Sequence, residues 1–359
     1  MRIFNFSAGP CTLPLTVLEE VQEEFVDYRG AGMSMVEMSH RSAPYEAVHQ
    51  NATQLARDLF GTPDEFAVLF VQGGATMQFG MLAMNLLTDG SRGAYIDTGI
   101  WASKAQADGA HHGDVYTAWS GQDISYSRVP TSDELTLQES TRYLHVTSNE
   151  TIGGVQFHEW PDVGVPLVAD MSSDYMSRPI PWERFDLVYG GVQKNLAPAG
   201  SSLVFVRHSV LEQTRRDLAS YFRYDIHASK DSMYNTPPVF PIYVMEKVLR
   251  WMRDQGGLAA MEAAAKQRAG LIYRSIDESG GFYTNPIEPA SRSNMNVVFR
   301  IAENDLESRF IAEATAAGMS GLKGHRSVGG CRASVYNAMP MAGAEALSEF
   351  MVNFHRQVA

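Results

Sequence analysis

The chain's 359 residues are enough for two domains, and a composition that is 45% hydrophobic and 19% charged is that of a globular protein. No apolar run in it approaches the ~18 residues of a membrane-spanning helix, which excludes a transmembrane protein. With 29 basic and 41 acidic residues the formal charge is −12, which opposes general attraction to nucleic acid, so any anionic ligand must meet a local basic cluster.

The opening "MRIFNFSAGPCTLPL" lacks a sustained apolar core followed by a small-residue cleavage site, and a cytoplasmic protein is expected. Cys11 and Cys331 stand far apart without metal-ligand spacing, which predicts reduced thiols rather than a disulfide framework or a zinc site. Five segments then share one grammar, a short apolar strand, a glycine or polar turn, and a helical pattern: "FAVLFVQGGATMQFGMLAMNLL", "GAYIDTGIWASKAQAD", "YLHVTSNETIGG", "VPLVADMSSD" and "FDLVYGGVQKN". Repetition of such units predicts an α/β fold with a mainly parallel sheet flanked by helices, its ligands beyond the carboxyl ends of the strands. Next, "FPIYVMEKVLRWMRDQGG" predicts a helix ended by Gly256 and Gly257, and the alanine-rich "LAAMEAAAKQRAGLIYRSIDES" a second, longer one. Beyond this double glycine, "NMNVVFRIA" and "CRASVYNA" read as strands, while Leu306, Phe310, Ile311 and Ala314, then Leu347, Phe350, Met351 and Phe354, lie at helical spacing. The expected division is a large domain over 16–256, a smaller C-terminal α/β domain over 257–359, and an N-terminal segment, 1–15, packing with the small domain.

Three stretches carry chemistry on the expected rim of the sheet. In "VLFVQGGATMQF" a strand runs through Gly73 and Gly74 into a helix start, whose free N–H groups and positive dipole end suit a phosphate; Ala75 and Thr76 add an N–H and a hydroxyl. The same double glycine also serves a plain turn, and no Walker lysine follows it. Asp170 closes "PLVAD" either as a helix cap or as a functional acid, and Lys194 follows "DLVYGGVQ" either as a loop charge or as a reagent. An acid, a lysine and a phosphate cradle on one rim suggest pyridoxal phosphate: the amine bonds the aldehyde, the carboxylate keeps the pyridine nitrogen protonated, and the ring accepts carbanion electrons. Trp101, after "GAYID", either stacks on that ring or belongs to the core.

Basic residues cluster twice, as His40 and Arg41 in "SHR" and as Lys323, His325, Arg326 and Arg332 in "KGHRSVGGCR". Planar guanidinium forks bind carboxylate and phosphate, so these are candidates for an anion pocket, with solvated arginines as the plainer account. His111 and His112 in "HHGD" have no partners at ligand spacing, so a polar loop and no metal are expected.

From "FNFSAGP" to "YNAMP" the chain resembles the phosphoserine aminotransferase family, class V enzymes of fold type I that use pyridoxal phosphate. The stretches that carry the resemblance are "EMSHRS", "SNETIGG", "VYGGVQKNLAPAG", "MYNTPP" and "KGHRSVGGCRASVYNAMP", in that order. It implies that Lys194 is the Schiff-base lysine, Asp170 the partner of the pyridine nitrogen, Trp101 the stacking ring and Thr151 the hydroxyl beside the cofactor's phenolic oxygen. Ala75, Thr76 and Gln193 fall on phosphate-binding positions, and Asn235 and Thr236 on a pair that reaches the phosphate across a dimer interface. Arg332 matches the arginine for the substrate α-carboxylate. His40, Arg41, His325 and Arg326 match the group that receives the distal phosphate or carboxylate, the first two from one subunit and the last two from the other. One departure is Thr76, where some members carry arginine; it leaves one fewer cation for the phosphate.

The resemblance further implies a homodimer with shared active sites that transfers the amino group of L-glutamate to 3-phosphohydroxypyruvate in serine biosynthesis. Some relatives also act on a phosphorylated hydroxythreonine precursor of vitamin B6. The alternatives are a class V transaminase for small substrates such as pyruvate or glyoxylate, a cysteine desulfurase, and a silent anion-binding scaffold.

Overall fold

The computed structural model describes residues 2–215, 217–302 and 304–358. β1 (Phe4–Asn5), α1 (Leu15–Glu24) and α2 (Ala43–Phe60) precede the main sheet. Its strands are β2 (Phe66–Gln72), β3 (Arg92–Asp97), β4 (Asp114–Ser120), β5 (Thr141–Thr147), β6 (Leu167–Asp170), β7 (Phe185–Gly191) and β8 (Ser201–Arg207), in spatial order β2-β8-β7-β6-β5-β3-β4. Six run in one direction, and β8 is antiparallel to both of its neighbours. Every residue of β6 and β7 is buried, as expected of strands covered on both faces. Successive side chains alternate between two cores: Val188 of β7 packs with the cluster that includes α2, whereas Leu187 and Tyr189 join the opposite one.

β2 and β3 lead into helices, α3 (Gly74–Leu86) and α4 (Ile100–Gly109), as the patterns predict. The helical continuations expected after β5, β6 and β7 are turns instead. Their polar side chains take over backbone groups that a helix would bond internally. Ser173 Oγ donates to the Asn149 carbonyl at 2.7 Å, Asn195 Nδ2 to the Ser173 carbonyl at 3.0 Å, and Asp170 Oδ1 accepts the Ser172 N–H at 2.9 Å. The loops that result lie on one rim of the sheet.

After β8 come the short α5 (His208–Glu212) and α6 (Tyr224–Ser229), then α7 (Val239–Asp254) and α8 (Gly257–Asp277). Between these two long helices Gly256 and Gly257 take φ of 103° and 67°, left-handed values that an L side chain would strain. Leu258 and Met261 at the start of α8 pack in the main core, while Ala269, Ile272 and Ile276 pack in a second core. That second core covers an antiparallel sheet of β9 (Tyr283–Thr284), β10 (Asn296–Ile301) and β12 (Cys331–Ser334), in order β12-β10-β9, with α9 (Asn304–Ala316) and α10 (Met341–Val358). β11 (Met319–Ser320) pairs in parallel with β1, and Phe6 is buried in the second core, so the N-terminal segment packs against the C-terminal unit.

Candidate active site

β2, β3, β5, β6 and β7 all end on the same rim, and their following loops line a cavity of about 330 Å³. Lys194, in the turn that follows β7, is buried in its wall. Its Nζ donates to Thr151 Oγ1 at 2.5 Å and lies 5.3 Å from the centroid of the Trp101 ring. The N-terminal segment covers the same lysine: the Cys11 N–H bonds the Gln193 carbonyl at 3.2 Å, the Cys11 thiol donates to the Lys194 carbonyl, and a Cβ on Gly9 would meet Lys194 Cγ at 3.5 Å.

Asp170, the last residue of β6, is no helix cap. Its Oδ1 accepts both the N–H and the hydroxyl of Ser172, at 2.9 and 2.6 Å, within a turn. Burial raises its proton affinity, and the Lys194 charge and the two Ser172 bonds work the other way. For Lys194 burial dominates in turn and lowers the pKa, opposed by the carboxylates of Asp170 and Glu150. A lysine in this setting is more readily neutral, as a proton-accepting amine must be.

At the start of α3, Gly73 and Gly74 have φ of 95° and 69°, and a Cβ on Gly73 would come within 3.0 Å of Met77 Cβ. No side chain caps this helix, which leaves its first N–H groups directed at the cavity that Ala75 and Thr76 line. Gln193 stands beside them: a Cβ placed on Gly191 would lie 2.6 Å from Gln193 Oε1 and 3.3 Å from the Ala75 nitrogen. Uncapped N–H groups, a side-chain amide, a buried acid–amine pair and a tryptophan whose buried Nε1 has no partner among the described residues form a donor set that fits pyridoxal phosphate.

Glu150 escaped the reading of the sequence. Its two carboxylate oxygens accept the N–H groups of Ala102, at 2.9 Å, and Trp101, at 3.3 Å, so it caps the helix that carries the tryptophan. Gly99 makes room, since a Cβ there would meet Glu150 Cδ at 2.9 Å. Burial pushes this carboxyl up to about 7. The signal was present in "SNETIGG", where an acid stands among uncharged residues with no basic neighbour to pair with.

At the other end of the cavity Arg332 of β12 donates from Nη1 to the Thr151 carbonyl at 3.2 Å, and its Nε is buried without a partner among the described residues. His325 lines the cavity beside it, its Nδ1 bonded to Ser327 Oγ at 2.7 Å. The structure thus brings together Ala75, Thr76, Trp101, Thr151, Asp170, Gln193, Lys194, His325 and Arg332. It does not bring His40, Arg41, Asn235, Thr236 or Arg326 into the cavity of the single chain. Arg326 is exposed, as are Arg41 and Thr236, whereas Asn235 is half-buried; the Thr236 carbonyl bonds the Gln72 side chain at the end of β2. His112 packs against Gly80 of α3 and does not line the cavity.

The model of class-V aminotransferases matches residues 3–347. The chain belongs to that family. Among the class-V aminotransferases it is similar to, the phosphoserine aminotransferase of Niallia circulans is 49% identical over 356 residues, 99% of this chain and 98% of the relative. The solved phosphoserine aminotransferase from Bacillus circulans subsp. alkalophilus superposes with a TM-score of 0.97 at 48% identity, covering 100% of this chain and 99% of that one. A pyridoxal-phosphate-bound phosphoserine aminotransferase from Trichomonas vaginalis gives a TM-score of 0.93 at 37% identity, over 98% and 100% of the two chains.

Proposed function

We propose that this class-V aminotransferase is a phosphoserine aminotransferase, which uses pyridoxal phosphate to move the amino group reversibly from L-glutamate to 3-phosphohydroxypyruvate. The products are 2-oxoglutarate and O-phospho-L-serine, which places the chain in serine biosynthesis. Its full-length similarity to phosphoserine aminotransferases supports the substrate pair. The observation that carries the chemistry is the meeting of buried Lys194 and Asp170 beside Trp101 in a cavity that Arg332 and His325 border.

Pyridoxal phosphate, when bound, supplies the electron sink that lets a substrate α-proton leave. Lys194 Nζ takes that proton from the α-carbon, and Thr151 Oγ1 holds the amine in line. Asp170 holds the pyridine N–H, and the N–H groups at Ala75 and Thr76 with the Gln193 amide hold the phosphate. Arg332 takes the α-carboxylate that both substrates share. His325 and Arg326, joined by His40 and Arg41 from a second copy of the chain, take the substrate's distal phosphate or carboxylate. With Thr76 standing where some members have arginine, that group carries the phosphate alone.

The homodimer in this reading has support on the surface. Phe25, Val26, Met33 and Val36, in and around the segment that leads to His40 and Arg41, are exposed, and so is Tyr234 beside Asn235. Such a concentration of apolar surface near residues expected to reach another active site suits an interface between two copies. No helix among the described residues is long and apolar enough to cross a membrane, and we place the enzyme in the cytoplasm. Residues 16–256 form the cofactor-binding large domain, and 257–359 with 1–15 the small one.

A desulfurase needs a thiolate, but burial pushes both Cys11 and Cys331 up to about 12, so each is a thiol at neutral pH. Steady-state rates with 3-phosphohydroxypyruvate, pyruvate and glyoxylate test the substrate. Preference for either of the last two overturns it.

A further inference from the structure

A second cavity, about 490 Å³, opens where the N-terminal segment crosses between α7, α8 and the start of α10. Phe4, Leu13, Trp251 and Met261 give it apolar walls. Among the described residues its lining includes two guanidinium groups, Arg2 and Arg268, and no carboxylate, in a chain where acids outnumber bases by 41 to 29. Such a lining repels cations and suits a small anion with an apolar body.

Two polar side chains in the wall are each 3% exposed and incompletely satisfied. Arg268 donates from Nε to the Val335 carbonyl at 3.2 Å, but its Nη2 is buried with no acceptor among the described residues. Burial brings its pKa down to about 10, which still leaves it charged at neutral pH. Asn337 uses its N–H on Asn195 Oδ1 and its Nδ2 on the Met176 carbonyl, both at 3.1 Å, while its own Oδ1 meets no donor among the described residues. A buried charge and a buried carbonyl left without partners are costly, and both costs fall when a ligand supplies the complementary groups.

We propose that this cavity binds a small free α-amino acid with an apolar side chain, its carboxylate on Arg268, its ammonium on Asn337 Oδ1 and its side chain against Trp251 and Met261. The site is separate from the transamination cavity and shares no lining residue with it. Its wall is nonetheless one hydrogen bond from the segment of Lys194, through Asn337 and Asn195.

Calorimetric titration of the holoenzyme with L-leucine and L-phenylalanine tests this. Leucinamide, which lacks the carboxylate, and 4-methylpentanoate, which lacks the amine, serve as controls. One site per chain is expected for at least one amino acid, with each control at least ~10-fold weaker through loss of one charged hydrogen bond. Ala264→Leu, one turn before Arg268 on α8, fills part of the cavity while keeping both polar groups and abolishes that binding, and Arg268→Gln weakens it ~10-fold or more. Absence of heat with both amino acids at two well-separated temperatures overturns the proposal, since binding that buries apolar surface cannot be silent at both. Undiminished binding in Ala264→Leu also overturns it, because the ligand then sits elsewhere, and this variant decides the matter even where Arg268→Gln fails to fold. Equal affinity for leucinamide or 4-methylpentanoate removes the pairing on which the amino-acid assignment rests.

Discussion

Glu150 Oε1 accepts the N–H of Ala102 at 2.9 Å, so that a carboxylate from the loop after β5 caps the helix carrying Trp101. The cap is buried, and burial raises its carboxyl from 4.5 to about 7. A group that holds its proton more tightly in the folded chain contributes stability that is complete below the unfolded pKa, near 4.5, and is lost as pH rises through about 7. The loss expected across that window is on the order of 3 kcal/mol. Glu150→Gln keeps an acceptor for the Ala102 N–H and cannot ionise. Its unfolding midpoint is therefore expected to gain on the wild type between pH 5 and pH 8, the variant being the more stable at the upper end. A constant difference across that range rules Glu150 out as the titrating group.

Replacing Lys194 by alanine removes the only amine that borders the cavity beside Asp170 among the described residues. Transamination is expected to fall by about 10²–10⁴-fold or more, the range of general acid–base contributions. The visible absorbance that glutamate bleaches in the wild type should be missing from the variant. A variant that retains both colour and turnover places the reactive amine elsewhere.

Asp170→Asn separates charge from shape, because the amide oxygen can still accept the two Ser172 bonds. The expected kcat is lower by about 10²-fold, with a smaller change in KM, since the lost interaction acts on charge that develops during proton removal. The Asp170 carboxylate also raises the Lys194 pKa, so its removal lowers that pKa further. The limb of the pH–rate profile that requires a neutral lysine then moves to lower pH, which a purely structural role for Asp170 does not produce.

Much of this site was legible because it hangs on the ends of strongly apolar strands. The run from Phe66 into Gly73 and Gly74 announces both the strand and the uncapped helix start, and the run from Phe185 announces the approach to Lys194. The direction of β8 was not legible, since "SSLVFVR" carries apolar content and no information on polarity of pairing. The turns after β5, β6 and β7 looked helical because Ser148, Ser172, Ser173 and Asn195 reveal their local bonds only once the strands have placed them side by side. Glu150 was passed over for a related reason. Its partners are backbone N–H groups some 50 residues earlier, which leave no mark in side-chain identity.

Arg332→Lys tests the carboxylate fork. Lysine keeps the charge and loses the paired planar donors, one of which also holds the Thr151 carbonyl at 3.2 Å. Both substrates share the α-carboxylate, so kcat/KM should drop by a similar factor, about 10- to 100-fold, for glutamate and for 3-phosphohydroxypyruvate. A loss confined to one substrate assigns Arg332 to the distal end instead.

The absence of Asn235 and Thr236 from the single-chain cavity leads to the last prediction. If these two side chains serve the cavity of a second copy, a subunit carrying Lys194→Ala still supplies an intact Asn235 and Thr236 to its neighbour. A subunit with Asn235→Ala and Thr236→Ala keeps its own Lys194. In a mixed dimer of the two, one cavity contains both defects and the other contains none. Statistical mixing makes half of the dimers mixed, so about one quarter of wild-type activity should return when two nearly inactive proteins are unfolded, combined and refolded together. The Arg41→Ala variant, scored in the same way against Lys194→Ala, should also complement. Recovery that never exceeds the sum of the separate proteins would mean that each chain completes its own site, and that His40, Arg41, Asn235 and Thr236 act where the single chain leaves them.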